Sequence, residues 1–150
     1  MKTQLSNFLF MQNTEKPILT VEVSLNLPIE KVWEMWTKPE HITQWNAASE
    51  DWHCPRATND IRPGGKFNAR MEAKDGSMGF DFEGTYDEVK EHELLAYTMG
   101  DRKVRVIFVP LGFATLVKEE FEAENENSLE LQKNGWQSIL NNFKKYAESL

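Results

Sequence analysis

The chain has 150 residues, 40% apolar and 27% charged, the size and composition of one globular domain that can bury its own core without a disulfide or structural metal. Its 24 acidic against 17 basic side chains leave a net charge of -7, which repels nucleic acid and anionic membrane surfaces; the densest basic cluster is only Arg102, Lys103 and Arg105. Cys54 is the single cysteine, which excludes an intramolecular bridge and fits a reducing, cytoplasmic setting, and no apolar run reaches the ~20 residues of a membrane span.

Residues 1–16 are expected to form a loosely ordered lead-in to a single domain over 17–150. Phe8, Leu9, Phe10 and Met11 follow Lys2, but Gln12 and Asn13 end the run well short of the roughly 7 to 15 apolar residues of a secretion signal. Val21, Val23, Leu25 and Leu27 alternate with polar residues and predict a strand with one buried face. After Pro28 the period changes: Ile29, Val32, Trp33 and Trp36 stripe a short helix, which Lys38-Pro39 stops while opening a second one carrying Ile42 and Trp45.

Residues 46–56, with Trp52, His53, Cys54 and Pro55, have no period and predict an irregular segment leading into a strand near 58–62. Pro63-Gly64-Gly65 is a turn, followed by a strand on which Phe67, Ala69 and Met71 alternate with polar residues. Asp75-Gly76 marks another turn, and Phe80, Phe82, Gly84 and Tyr86 share one strand face. Strands over 94–99, 103–109 and 115–123, separated by Gly100-Asp101 and Pro110-Leu111-Gly112, complete an antiparallel meander. Beyond a capping cluster at 125–128, Trp136, Ile139, Leu140, Phe143, Tyr146 and Leu150 recur at three and four, predicting a long helix whose stripe belongs to the core.

This α+β order of strand, two short helices, curved six-strand meander and long C-terminal helix packed across the sheet resembles the helix-grip fold of the START-like (SRPBCC) superfamily. That superfamily includes START lipid-transfer domains, the birch-pollen allergen and polyketide cyclases. Four separated words look like one branch of it: Val32-Trp33 with Lys38-Pro39-Glu40-His41 and Trp45, then Arg62-Pro63-Gly64-Gly65-Lys66-Phe67, then Phe82-Glu83-Gly84-Thr85-Tyr86-Asp87-Glu88-Val89, then Phe108-Val109-Pro110-Leu111-Gly112 with Thr115. The branch is the homologues of the activator of the ninety-kilodalton heat-shock chaperone's ATPase. The resemblance implies a pocket between long helix and sheet and no fixed catalytic residues, and fold alone does not select among ligand carriage, cyclisation and chaperone assistance.

Trp45, Trp52, Phe80, Phe82, Tyr97 and Trp136 are the aromatics that either line such a pocket or fill it. Glu119 shares a strand face with Thr115, Val117 and Phe121. It is either a polar anchor of raised pKa among apolar neighbours or a solvated residue at an open strand end. His53 and Cys54 are adjacent on an extended segment and point apart, so they predict no nucleophile and base, and the cysteine reads as buried and inert. His41, His53, His92 and Cys54 lack zinc spacing, and Gly64-Gly65 lacks the helix and Lys-Ser/Thr ending of a phosphate loop, so no metal or cofactor is expected.

The leading expectation is a binding module for a small hydrophobic or amphipathic molecule. The alternatives are a chaperone partner, as the resemblance implies, or a cyclase or hydrolase using Glu119, His53 or Tyr97. The stretch from Val106 to Val117 is uncharged and carries Phe113 at its turn, which predicts either a homodimer contact or a lip over the pocket mouth, unless the long helix or Phe8 and Phe10 cover it.

Overall fold

A computed structural model describes residues 16–150; the expected lead-in, with Phe8 and Phe10, lies outside the described residues except for Lys16. Strand β1 (Ile18–Leu25) is followed by helices α1 (Ile29–Thr37) and α2 (Pro39–Trp45). Strands β2 (Trp52–Asn59), β3 (Lys66–Ala73), β4 (Gly79–Lys90), β5 (Leu94–Met99), β6 (Arg102–Leu111) and β7 (Ala114–Glu122) come next, then helix α3 (Leu129–Glu148). All strand pairings are antiparallel in one seven-stranded sheet of order β1-β7-β6-β5-β4-β3-β2. The last six strands are the expected meander, and β1 closes against β7. Since β1 and β2 are opposite edges, the α1–α2 pair has to carry the chain across the whole curled sheet.

Turn chemistry sets the register. Gly100 and Gly112 adopt φ of 57° and 75° at the first position of two-residue loops, between Met99 paired with Arg102 and Leu111 paired with Ala114. Glycine with positive φ at that position is the signature of a tight hairpin whose twist matches its strands. Lys38 is at once the C-terminal flank of α1 and the N-terminal flank of α2, with Pro39 in the first turn of α2, where its missing N–H costs nothing. Ser128 caps α3, its Oγ accepting from Leu131 N at 3.0 Å, and Gln132 bonds Glu124 and Asn127 to lock the same turn.

Helix α3 packs along β1, α2 along β2, and α1 reaches β6 and β7, while β3, β4 and β5 lie farther from any helix. The solid core sits under α3 and α1, where Leu25, Val32, Val117, Phe121, Leu140 and Phe143 have no exposure above 0%. Trp36 and Trp45 both meet Phe143 with ring centroids 4.9 Å apart. His41 Nδ1 lies 2.7 Å from Tyr146 Oη and Asn142 Nδ2 donates to Trp45 O at 2.8 Å; together these tie α2 to α3 from outside.

Three expectations need correction. The segment at 52–56 is strand, not irregular: β2 is an edge strand with a register shift between His53 and Arg56, and that bulge, with Pro55 on a strand that has one neighbour, erases the alternation. Leu150 lies past the end of α3 and is 72% exposed, outside the core stripe it was assigned to. Trp136, Ile139 and Tyr146 are partly buried rather than core, and for Trp136 and Ile139 the reason is the space beneath them.

Candidate functional site

Between the middle strands and the α2–α3 side lies a cavity of about 280 Å³, lined by side chains from all three helices and from β2 through β7. Its walls are mostly apolar, with eight aromatic side chains among them. Trp136 lies flat on Phe121, with centroids 3.9 Å apart and an interplanar angle of 7°, and makes a T-shaped contact with Phe82 at 6.2 Å. Phe67 forms the opposite wall, 4.7 Å from the Tyr97 ring and 5.2 Å from Tyr86. Gly84 makes room for that ring: a Cβ there would sit 2.9 Å from Phe67 and 2.7 Å from Thr98 O. Phe80 is 51% exposed and lines the cavity as well, so it stands at the mouth.

Of the residues singled out in the sequence, Trp45, Phe80, Phe82, Tyr97, Glu119 and Trp136 all line this one space. Trp52 does not; its ring flanks Phe80 at 5.9 Å. The sequence reading missed Asn59, Tyr86 and Arg102, which also line it. Tyr86 was visible on the same strand phase as Phe82, whereas nothing in the sequence pointed to the other two. Tyr86 Oη donates to Asn59 Oδ1 at 2.6 Å, and Asn59 Nδ2 donates to Thr37 O at 2.7 Å, so the cavity floor is bonded to the end of α1.

The polar groups fall into two kinds. Tyr86 and Asn59 satisfy one another. Glu119 and Tyr97 do not: Glu119 is 6% and Tyr97 7% exposed, and among the described residues neither side chain has a hydrogen-bond or ion-pair partner. Glu119 is opposite Val21 on one side and Val106 on the other, so burial pushes its carboxyl from the usual 4.5 up to about 8. Of the two readings of Glu119, the buried one is therefore what the fold contains. Burial first, and the Glu119 charge second, hold the Tyr97 phenol well above its ordinary value, with Arg102 opposing. Glu119, Tyr97 and Arg102 thus make one polar end of the space, whose lining also includes the Tyr86–Asn59 pair and the polar side chains of Asn46, Thr58 and Asn68.

Elsewhere the side chains offer less chemistry. Cys54 is buried, its thiol raised chiefly by that burial and donating to Arg56 O at 3.4 Å, while His53 beside it is exposed. Arg105 pairs with Glu120 at 3.1 Å and Lys103 lies 3.9 Å from Asp87, which neutralises most of the densest basic cluster. Among the described residues no group of three or more His, Cys, Asp or Glu side chains could hold a metal ion, and no helix is long and apolar enough to cross a membrane.

Comparison with known proteins agrees with this architecture. The family model described as Activator of Hsp90 ATPase homolog 1-like protein matches residues 26–148. The solution structure of an AHSA1-like protein from Aeromonas hydrophila is 42% identical with a TM-score of 0.79, covering 87% of this chain and 93% of that one. A solution structure from Cytophaga hutchinsonii is 53% identical with a TM-score of 0.76, covering 87% and 91%. A crystal structure from Nitrosomonas europaea, 19% identical with a TM-score of 0.75 over 88% and 94%, shares the fold. Among curated proteins none matches. A helix-grip architecture, a family match over most of the chain and two relatives well above chance identity leave one assignment: the chain belongs to the Activator of Hsp90 ATPase homolog 1-like protein family.

Proposed function

We propose that the chain is a binding protein for a small, largely apolar molecule held between α3 and the curled sheet. The observation that carries this reading is the cavity of about 280 Å³ walled by Trp36, Trp45, Phe67, Phe82, Tyr97 and Trp136. It lies just below the usual span of small-molecule sites, roughly 300 to 1,000 Å³, and shares their apolar lining with a few convergent polar groups. Ala69 lines it from β3 and is 4% exposed, so Ala69→Leu takes up cavity space and adds no polar group. In a thermal-shift assay, a ligand at one hundred times its Kd adds about 2.7 kcal/mol, on the order of 5 to 10 °C for a domain of this length. Wild type should shift with a two-ring aromatic compound and Ala69→Leu should not; equal shifts in both would place binding outside the cavity and sink the proposal.

The exposed hairpin tip supports a second, surface reading, self-association. Leu111 is 56% and Phe113 94% exposed. Both strands of that hairpin are internal for most of their length, β6 beside β5 and β7 beside β1, so a contact would use the tip's side chains rather than edge pairing. A chaperone partner rests on the family's description alone.

A further inference from the structure

The walls of the cavity ask only for an apolar body; its polar end asks for something specific. Resting on the cavity-binding reading, we propose that the molecule held there carries a neutral hydroxyl head, phenol-like, that donates a hydrogen bond to the Glu119 carboxyl and accepts one from the Tyr97 hydroxyl. Both residues are more than nine-tenths buried, both line the same space, and among the described residues neither side chain has a hydrogen-bond or ion-pair partner.

The charge balance selects among heads. A carboxyl oxygen accepts whether or not the acid is ionised, and a phenol can donate in either case, so a hydroxyl that donates to one and accepts from the other fits in both protonation states. An ammonium head would face Arg102, which lines the same end and already opposes the Glu119 effect on Tyr97. A carboxylate head would have to give up its hydration to enter a largely apolar space, and it would hold Glu119 protonated beside it, because two close carboxylates cannot both ionise. A head with no polar atom leaves both buried groups unpaired, which costs most in a dry site. The neutral donor and acceptor satisfies all of them, and the acid raised to about 8 keeps Glu119 itself uncharged at neutral pH, so no anion at this end calls for a cationic head.

The probes are naphthalene, 2-naphthol and 2-naphthoate, titrated at neutral pH into the full chain by calorimetry, with protein refolded from denaturant to remove anything that copurifies. 2-Naphthol should bind at least about tenfold tighter than naphthalene, the worth of one hydrogen bond to an otherwise unpaired buried group, and tighter than 2-naphthoate by at least as much. Glu119→Leu and Tyr97→Phe should each erase most of the hydroxyl preference while keeping naphthalene binding, which also reports that the variant is folded. Equal binding of naphthol and naphthalene, or naphthoate as the tightest probe, overturns the hydroxyl assignment and leaves the cavity reading standing. Binding of none of the three overturns the cavity reading itself.

Discussion

Replacing Glu119 by Gln should make this protein more stable, and by an amount that depends on pH. In the folded chain the carboxyl titrates near 8 rather than 4.5 because burial disfavours its charge. A folded-state pKa raised above the unfolded one means that the folded form holds the proton more tightly. Below about pH 4.5 the acid is neutral in both states and the group costs nothing through ionisation. As pH rises from there the unfolded chain gains by ionising while the folded chain cannot, and the loss is complete once pH passes 8. At about 1.4 kcal/mol per pH unit the full loss is about 5 kcal/mol, an upper bound because water can enter the cavity and relax the site. Glutamine keeps the shape of the protonated acid and does not titrate. Urea unfolding of both proteins across that range should therefore show a stability difference near zero at the acid end, growing steadily in favour of Glu119→Gln and levelling above pH 8. All other titrating groups are common to the two and cancel in the difference. A difference that stays flat between pH 4.5 and 9 would show that Glu119 ionises as it does in water, and the account of its burial would be wrong.

Gly84→Ala should destabilise by about 1 to 3 kcal/mol in the same assay, since its Cβ would lie 2.7 Å from Thr98 O and 2.9 Å from the Phe67 ring, an overpacked position; an effect below a few tenths would mean the wall yields. Tyr86→Phe removes the donor to Asn59 Oδ1 and should cost about 1 kcal/mol with the fold retained by circular dichroism, because the half-buried amide oxygen loses its partner; a neutral change would mean water replaces the hydroxyl. Phe113→Asp tests the hairpin tip: light scattering at high concentration should show wild type as a dimer and the variant as a monomer, and a monomeric wild type refutes self-association through that surface.

Much of the scaffold is legible from periodicity because most strands obey it. On β4, Phe82 and Tyr86 face inward with polar residues between them, and the glycines at 100 and 112 stand where tight loops require positive φ. Strand β2 escapes because its bulge between His53 and Arg56 puts two residues where alternation expects one, and Pro55 reads as a break although an edge strand tolerates it. The cavity's membership was partly legible for the same reason as the core's: Phe82, Tyr97 and Glu119 occupy inward phases. What periodicity does not carry is distance across the fold. That Trp136 and Ile139 stop short of full burial follows from how far α3 stands off β3 and β4, and that Arg102 reaches the polar end follows from sheet curl. Neither quantity is written in any one strand.

The cavity and the unpartnered carboxyl bear on each other. Left dry, about 280 Å³ would cost on the order of 7 kcal/mol at the rate measured for engineered cavities, and water entering it finds bonding partners at the polar side chains, Glu119, Tyr97 and Arg102 among them, and almost none along the aromatic walls. Cheaper arrangements are close at hand in the same fold. A larger side chain at Ala69 would take up part of the space and an apolar one at position 119 would remove the buried acid, each a single substitution that leaves the strand pairing of β3 and β7 untouched. An empty chain is therefore less stable than its own scaffold permits, by two separate routes that meet in one place. The proposed binding site would explain both at once: an occupant would supply the missing van der Waals contacts along the walls and the missing hydrogen bonds at the polar end, so that the stability forgone by the empty form would return as affinity.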